Sequence, residues 1–226
     1  MGISVAAARA PEQQAVRATS HAVKLSLIGL AERAFAFVLL LLSLPALAMI
    51  AVVVAILSRR PPFIALPRAG QGKRLVWLIK LRTMWDEESA SRTRGLLVER
   101  IENARVPEFK TECDPRVTSS FAAFCRRYSI DEAPQLWHVV RGEMALVGPR
   151  PLTYEELATY YGYDADEVLS VKPGLTGLWQ VRGRNSLTYR QRLALDLFLV
   201  RNWSLRLYFS LLMATIPAVF SGRNAG

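Results

Sequence analysis

The chain has 226 residues, enough for one large or two small domains with a true core, and carries 29 Lys and Arg against 19 Asp and Glu, a formal charge of +10. That balance implies an anionic partner (nucleic acid, anionic lipid or a phosphorylated substrate), and a mean hydropathy of +0.18 beside it favours membrane association over nucleic-acid binding. Only Cys113 and Cys125, with the distant His21 and His138, are present, which excludes a disulfide framework or a Cys/His zinc site and fits a reducing compartment.

Residues 1–31 read as an Ala-rich N-terminal arm, helical and interfacial over 22–31. Residues 32–58 form the membrane segment. From Ala34 to Leu57 only Ser43 and Pro45 interrupt an apolar run that, as a straight helix, would reach ~36 Å, enough for a ~30 Å hydrocarbon core. Pro45 removes a backbone hydrogen bond in the middle of this run and forces a bend, and the Ser43 hydroxyl can satisfy a freed carbonyl. Both flanks are basic: Arg9, Arg17, Lys24 and Arg33 precede the run, and Arg59, Arg60, Arg68, Lys73 and Arg74 follow it. Since cytoplasmic flanks are the ones enriched in Lys and Arg, a re-entrant hairpin and a kinked span are equally open from the residues alone.

Residues 59–226 form the remaining domain. Arg59-Arg60-Pro61-Pro62 ends the membrane helix, and Phe63–Leu66 with Leu75–Leu81 predicts a hairpin about the Gly70–Lys73 turn. Asp86-Glu87-Glu88 reads as an acidic helix start, followed by a polar helix or loop over 89–112.

The richest stretch runs from Ser129 to Pro151. Ser129-x-x-Glu132 matches a capping box, which places Asp131 and Glu132 at a helix start. Leu136, Val139, Val140, Met144 and Val147 recur at helical spacings beyond it. Acidic pairs at helix starts are usually caps. Arg126 and Arg127 one turn earlier, and Arg150 fixed between two prolines, make a phosphate-handling carboxylate the competing reading. His138 reads as a buried polar residue rather than a catalyst. Val171 to Asn185 reads as a Gly-rich cationic loop offering Lys172 and Arg184 to phosphates, with a structural loop as the plainer reading. Ser186–Asn202 reads as a helix, and Leu207–Phe220 as an interfacial or core helix too short to span.

Several blocks, in order, carry a family resemblance: Lys80–Met84, Asp114–Thr118, Ser129–Leu136, Arg141–Pro151, Lys172–Val181 with Gly183-Arg184, and Leu195–Leu197 with Asn202–Leu205. The chain resembles the bacterial sugar transferases, monotopic polyprenyl-phosphate phosphoglycosyl transferases of the exopolysaccharide-initiating type. The resemblance implies an α+β, mostly helical fold. It would have a re-entrant membrane helix broken at Ser43 and Pro45, interfacial amphipathic helices, and a small cytosolic catalytic domain without the multi-span N-terminal domain of some relatives. It implies Asp131 as the nucleophile toward a UDP-sugar and Glu132 as a catalytic carboxylate and Mg²⁺ ligand. Arg126, Arg150, Lys172 and Arg184 would lie about the phosphates. The implied partners are a UDP-sugar carrying glucose or galactose, undecaprenyl phosphate and membrane lipids, with no nucleic acid and with a homodimer as one assembly. The implied place is the cytoplasmic face of the bacterial inner membrane. The chain departs from the family pattern in Ser43-Leu44-Pro45, where Ser and Pro are usually adjacent, and in Glu32-Arg33 and Phe35-Ala36 at the helix opening. An inactive membrane scaffold for polysaccharide assembly is the alternative.

Overall fold

The computed structural model describes residues 4–84, 117, 119–183 and 187–221, with side chains from 28 to 220. Arg184, the acidic helix start at 86–88 and the polar stretch 89–112 lie outside the described residues. The first element, α1, runs unbroken from Ser4 to Ser58. Its apolar part, Ile28–Ser58, has 31 residues. The expected reversal at Ser43-Leu44-Pro45 is not seen, because the helix continues through it. Pro45 cannot bond to the Leu41 carbonyl. The Ser43 hydroxyl donates to the neighbouring Leu40 carbonyl at 2.9 Å, one residue from the carbonyl that the proline leaves open.

Only one stripe of α1 is covered. Ala36, Leu47, Ala51 and Val54 are buried, at spacings that return to one helix face. Away from that stripe Leu42, Met49 and Ile56 are 74%, 68% and 69% exposed, an apolar surface with no protein against it.

The hairpin forms as expected and extends further. Strands β1 (Phe63–Ala69) and β2 (Leu75–Leu81) pair antiparallel, Phe63 with Leu81 and Ala69 with Leu75. Helix α2 (Ser120–Arg127) leads into a 3-10 turn, Ile130–Gln135, and then α3 (Leu136–Arg141). The helical spacing that suggested one element out to Val147 ends early, at left-handed Gly142. A side chain there would also collide with the Arg33 guanidinium. Met144 and Val147 keep their apolar role, but they reach the core from a loop and from strand β3 (Ala145–Val147).

Strand β3 pairs parallel with β4 (Gly174–Thr176), and helices α4 (Ala165–Val168) and α5 (Leu178–Arg182) flank β4 in sequence. The described part of the Gly-rich stretch, residues 171–183, is therefore built around a strand and a helical turn rather than a continuous loop. Helix α6 (Tyr189–Arg201) begins at a capping box between Thr188 and Gln191. Helix α7 (Leu205–Ser221) buries Tyr208 and Leu211 and exposes Phe209, Met213, Ile216 and Phe220.

Three cores matter for function. One joins Ala36 of α1 to Leu78, Leu136, Val139, Met144 and Leu146. A second joins Leu47 and Ala51 of α1 to Leu81, with Ile130 and Ala133 of the 3-10 turn against them. The third, Ala69, Leu152, Leu157, Tyr161, Ala165, Val168 and Leu169, contains no α1 residue. Each fully buried Leu or Val here contributes about 1.5–3 kcal/mol. Glu32 fixes the near end of the apolar helix: its Oε1 accepts from the Leu146 amide at 3.0 Å and from the Tyr208 hydroxyl at 2.7 Å. The sequence departure at Glu32-Arg33 thus has a structural use, with Glu32 binding β3 and α7 and Arg33 lying over Gly142.

Candidate active site

The turn bearing Asp131 begins at Ser129, whose φ of 56° and ψ of 24° are left-handed. In that conformation the Ser129 side chain makes no cap, so the expected capping box with Glu132 does not form. The left-handed residue instead redirects the chain from α2 into the 3-10 turn, where Pro134 is buried. Asp131 is 8% exposed. Glu132 reaches across to β2, where the Lys80 ammonium lies 2.6 Å from its Oε1.

Burial and then the Glu132 charge push the Asp131 carboxyl up to about 6, opposed by Lys80 and Arg126. At neutral pH the group is ionised, desolvated and flanked by two cations. A carboxylate in that setting is a strong oxygen nucleophile toward phosphorus, and its cations also serve the charge on a phosphoryl group. The α1 helix packs directly beneath this turn through Leu47 and Ala51.

His138 is a strut. It is buried, its Nδ1 sits 2.6 Å from Glu143 Oε2, and its Nε2 accepts from the Ile79 amide at 3.1 Å. It ties α3 to β2, which is the buried polar role expected for it.

Arg150 is placed by backbone packing. Ala145 donates to the Pro173 carbonyl at 2.9 Å, Gly148 to Thr176 at 2.9 Å, and Gly174 to Pro149 at 2.7 Å. A methyl group on Gly148 or Gly174 would strike the other's backbone, so the Gly-Pro-Arg-Pro turn and the Lys172-Pro173-Gly174 segment lock together. Lys172 is thereby half-buried beside the turn, its carbonyl facing Gly148. On the other side Ala69 donates to the Leu152 carbonyl at 2.9 Å.

The Arg150 guanidinium joins a second group of residues. It lies 5.4 Å from the Trp179 ring centroid, and Arg192 lies 4.8 Å from the same ring and 5.0 Å from that of Tyr189. Arg68, at the end of β1, feels the charges of Glu156, Arg150 and Glu132. Beneath them Asp196 is fully buried. Its Oδ2 accepts from the Tyr161 hydroxyl at 3.0 Å, and the Arg150 amide also donates to it. Burial pushes its carboxyl up to about 7, against the Tyr161 bond and the Arg150 and Arg192 charges.

The structure thus brings the Arg126 charge to bear on Asp131, and Arg150 to a separate cluster. Lys80, Arg68, Trp179, Arg192 and Asp196 have no role assigned from the sequence alone. Asp196 carried a readable signal, a carboxylate between Leu193 and Leu199 on the inward face of a helix. Lys80 carried one too, as a cation inside an otherwise apolar strand.

Among the described residues no group of three or more His, Cys, Asp and Glu side chains converges. Two adjacent carboxylates nonetheless fit magnesium delivered with a diphosphate, since that ion keeps several waters and takes one or two carboxylates along with substrate phosphates. The repulsion between Asp131 and Glu132 is the kind that such a cation relieves.

Comparison with known proteins identifies the family. The profile of the bacterial sugar transferase family matches residues 24–222. A UDP-galactose-lipid carrier transferase of Erwinia amylovora is 42% identical over 159 residues, covering 70% of this chain and 33% of that protein. Exopolysaccharide production protein ExoY of Rhizobium meliloti (strain 1021) is 38% identical over 205 residues, 87% of this chain and 88% of ExoY. An undecaprenyl-phosphate glucose phosphotransferase of Komagataeibacter xylinus is 36% identical over 215 residues, 87% of this chain and 37% of that protein. The chain matches about a third of the length of the first and last of these, and most of ExoY. With nearly its whole length matched by the family profile, the chain belongs to the bacterial sugar transferase family.

Proposed function

We propose that the chain is a phosphoglycosyl transferase. It would move a sugar 1-phosphate, glucose or galactose, from a UDP-sugar to undecaprenyl phosphate as the first membrane step of exopolysaccharide or O-antigen synthesis. The observation that carries this reading is Asp131: a buried carboxylate beside a second one, held under Lys80 and Arg126 and packed on an apolar helix. The names of the relatives, a lipid-carrier transferase and an undecaprenyl-phosphate phosphotransferase, support the substrate class.

In the first step an Asp131 carboxylate oxygen attacks the β-phosphorus of the UDP-sugar. The bond from that phosphorus to the bridging oxygen breaks, and UMP leaves with the electron pair. In the second step a phosphate oxygen of undecaprenyl phosphate attacks the same phosphorus. The aspartyl–phosphorus bond then breaks, giving the lipid diphosphate sugar and restoring the carboxylate. Lys80 and Arg126 hold charge at the reacting phosphoryl group through both steps. Magnesium, bound by Glu132 and the diphosphate, would supply further charge neutralisation.

The exposed apolar faces of α1 and α7 are proposed to enter the bilayer from its cytoplasmic side, with the basic residues on both flanks of α1 kept on that side. A bend at Pro45 upon insertion would satisfy both conditions. Cysteines introduced near residues 20 and 60 should then both resist labelling from the periplasm; labelling of either from that side would refute this placement.

The chemistry is tested by a UMP-release screen of the purified chain across UDP-sugars with undecaprenyl phosphate. Release is expected with UDP-glucose or UDP-galactose, and Asp131→Asn should lower it by more than ~10³-fold while leaving membrane association intact. Turnover of Asp131→Asn at the normal rate removes the nucleophile assignment. No release from any UDP-sugar leaves the chain as an inactive scaffold.

A further inference from the structure

The β1–β2 hairpin has two faces of different use, since successive side chains along a strand point to opposite sides. On the inner side Leu66 stands opposite Leu78, and Ile64 opposite Lys80. Leu78 is buried with Ala36, Leu136 and Val139, and the Lys80 ammonium lies 2.6 Å from Glu132 Oε1. On the outer side Phe63, Ala65 and Pro67 of β1 and Leu75 and Trp77 of β2 are all exposed, Phe63, Leu75 and Trp77 by 44%, 52% and 55%. Pro67 stands directly opposite Trp77. A sheet face turned to water carries polar residues at such positions, and here all five are apolar.

The neighbours of this face identify what covers it. The face continues from the membrane helix: Leu81, opposite Phe63, packs on Leu47 and Ala51 of α1. The corner between α1 and β1 is pinned there by the Arg82 amide and Nε, which donate to the Pro62 and Pro61 carbonyls at 2.7 and 2.9 Å. Exposed Arg59 and Arg74 precede β1 and β2 and so lie toward opposite ends of the hairpin. A second copy would set like charges together in a chain whose net charge is +10, whereas anionic lipid phosphates would meet both arginines favourably. The backbone limits the depth. Among the described residues β1 pairs with β2 and, at Ala69, with Leu152, so its other edge keeps groups that need water or headgroup oxygens.

We propose that the outer face of the hairpin, with Phe63, Pro67, Leu75 and Trp77, lies ~5–10 Å deep in the headgroup layer of an anionic membrane, as a third lipid contact beside α1 and α7. It adds to the placement proposed above for those helices and does not depend on the reaction. Its consequence falls on the acidic pair. Strand β2 touches lipid through Trp77 and, three residues on, holds Glu132 through Lys80, so the same strand sets the height of the Asp131 turn at the membrane surface.

The experiment places the full-length chain in nanodiscs of phosphatidylglycerol and acyl-brominated phosphatidylcholine and reads tryptophan emission. Subtracting the Trp77→Phe variant isolates Trp77 among the five tryptophans. Bromine near the headgroup end of the acyl chain should remove most of this emission, and bromine near the chain terminus less of it. Adding Pro67→Trp to Trp77→Phe puts an indole opposite the lost one and should restore the quenching. Omitting phosphatidylglycerol should shrink the loss; an equal loss overturns the role given to Arg59 and Arg74. Trp77 emission that brominated lipid leaves intact overturns the proposal, whether acrylamide quenches it from water or a second copy shields it from both. Stronger quenching by terminal bromine overturns the headgroup depth. Quenching of Trp77 in a chain that releases no UMP from any UDP-sugar upholds the surface and overturns the reaction.

Discussion

The acidic pair at Asp131-Glu132 and the arginine cluster around Trp179 are two charged regions of one small domain, supported in different ways. The first rests on the membrane helix: Ile130 and Ala133 pack against Leu47, Ala51 and Leu81, and the charges are balanced locally by Lys80 and Arg126. The second rests on a core that the membrane helix does not join, and there Arg150 and Arg192 lie over the Trp179 ring while the buried Asp196 accepts from Tyr161. Balanced charge beside an apolar surface fits the chemistry proposed for Asp131. The difference separates a charged turn seated on the apolar helix from a charged cluster seated on a core apart from it.

Damage to the two regions should therefore read out differently. The larger effect is expected at the acidic pair. Glu132→Gln should lower turnover by roughly 10²-fold and blunt its response to added Mg²⁺. A normal magnesium titration in that variant would take Glu132 out of the metal role and leave it only as the partner of Lys80.

The smaller effect lies under the arginine cluster and appears in stability. The Asp196 carboxyl is pushed up to about 7 in the folded chain, from 3.8, with Tyr161, Arg150 and Arg192 facing it. The folded state therefore binds this proton more tightly than the unfolded state, and stability should fall as pH rises through that window. Asp196→Asn keeps the shape and cannot ionise, so it should lose less Tm than the unsubstituted chain between about pH 5 and about pH 8. Parallel Tm curves for the two would mean that the buried carboxylate does not titrate there.

Much of the fold was legible because it follows from local periodicity. The apolar run Ala34–Leu57 is helical, the hairpin forms, and the helix expected over Ser186–Asn202 appears as α6. What was illegible depends on tertiary context. Met144 and Val147 keep helical spacing, but Gly142 turns the chain under Arg33, a residue more than a hundred positions earlier. Ser129 matches a capping motif in sequence, but its left-handed backbone points the hydroxyl elsewhere. The membrane segment was read as broken at Pro45, and the helix passes through, with the Ser43 hydroxyl on the Leu40 carbonyl.

The site was legible in part for the same reason. Asp131, Glu132 and Arg126 are close in sequence, so their proximity could be read directly. Lys80, Arg68 and Arg192 come from distant strands and a helix, and only the folded chain brings them to Glu132 and Arg150. The burial of Asp196 could have been read from its place between Leu193 and Leu199, which pack into the core, but its Tyr161 partner could not.

The central claim is that Asp131 carries the sugar phosphate between donor and acceptor. It is tested most directly by mixing the purified chain with a UDP-sugar that it turns over, without lipid acceptor, and taking mass spectra of its peptides after rapid quenching. The account predicts a hexose-phosphate adduct on Asp131, formed together with a matching amount of UMP and absent in Asp131→Asn. UMP release that occurs only when undecaprenyl phosphate is present, with no adduct at any time point, would contradict it.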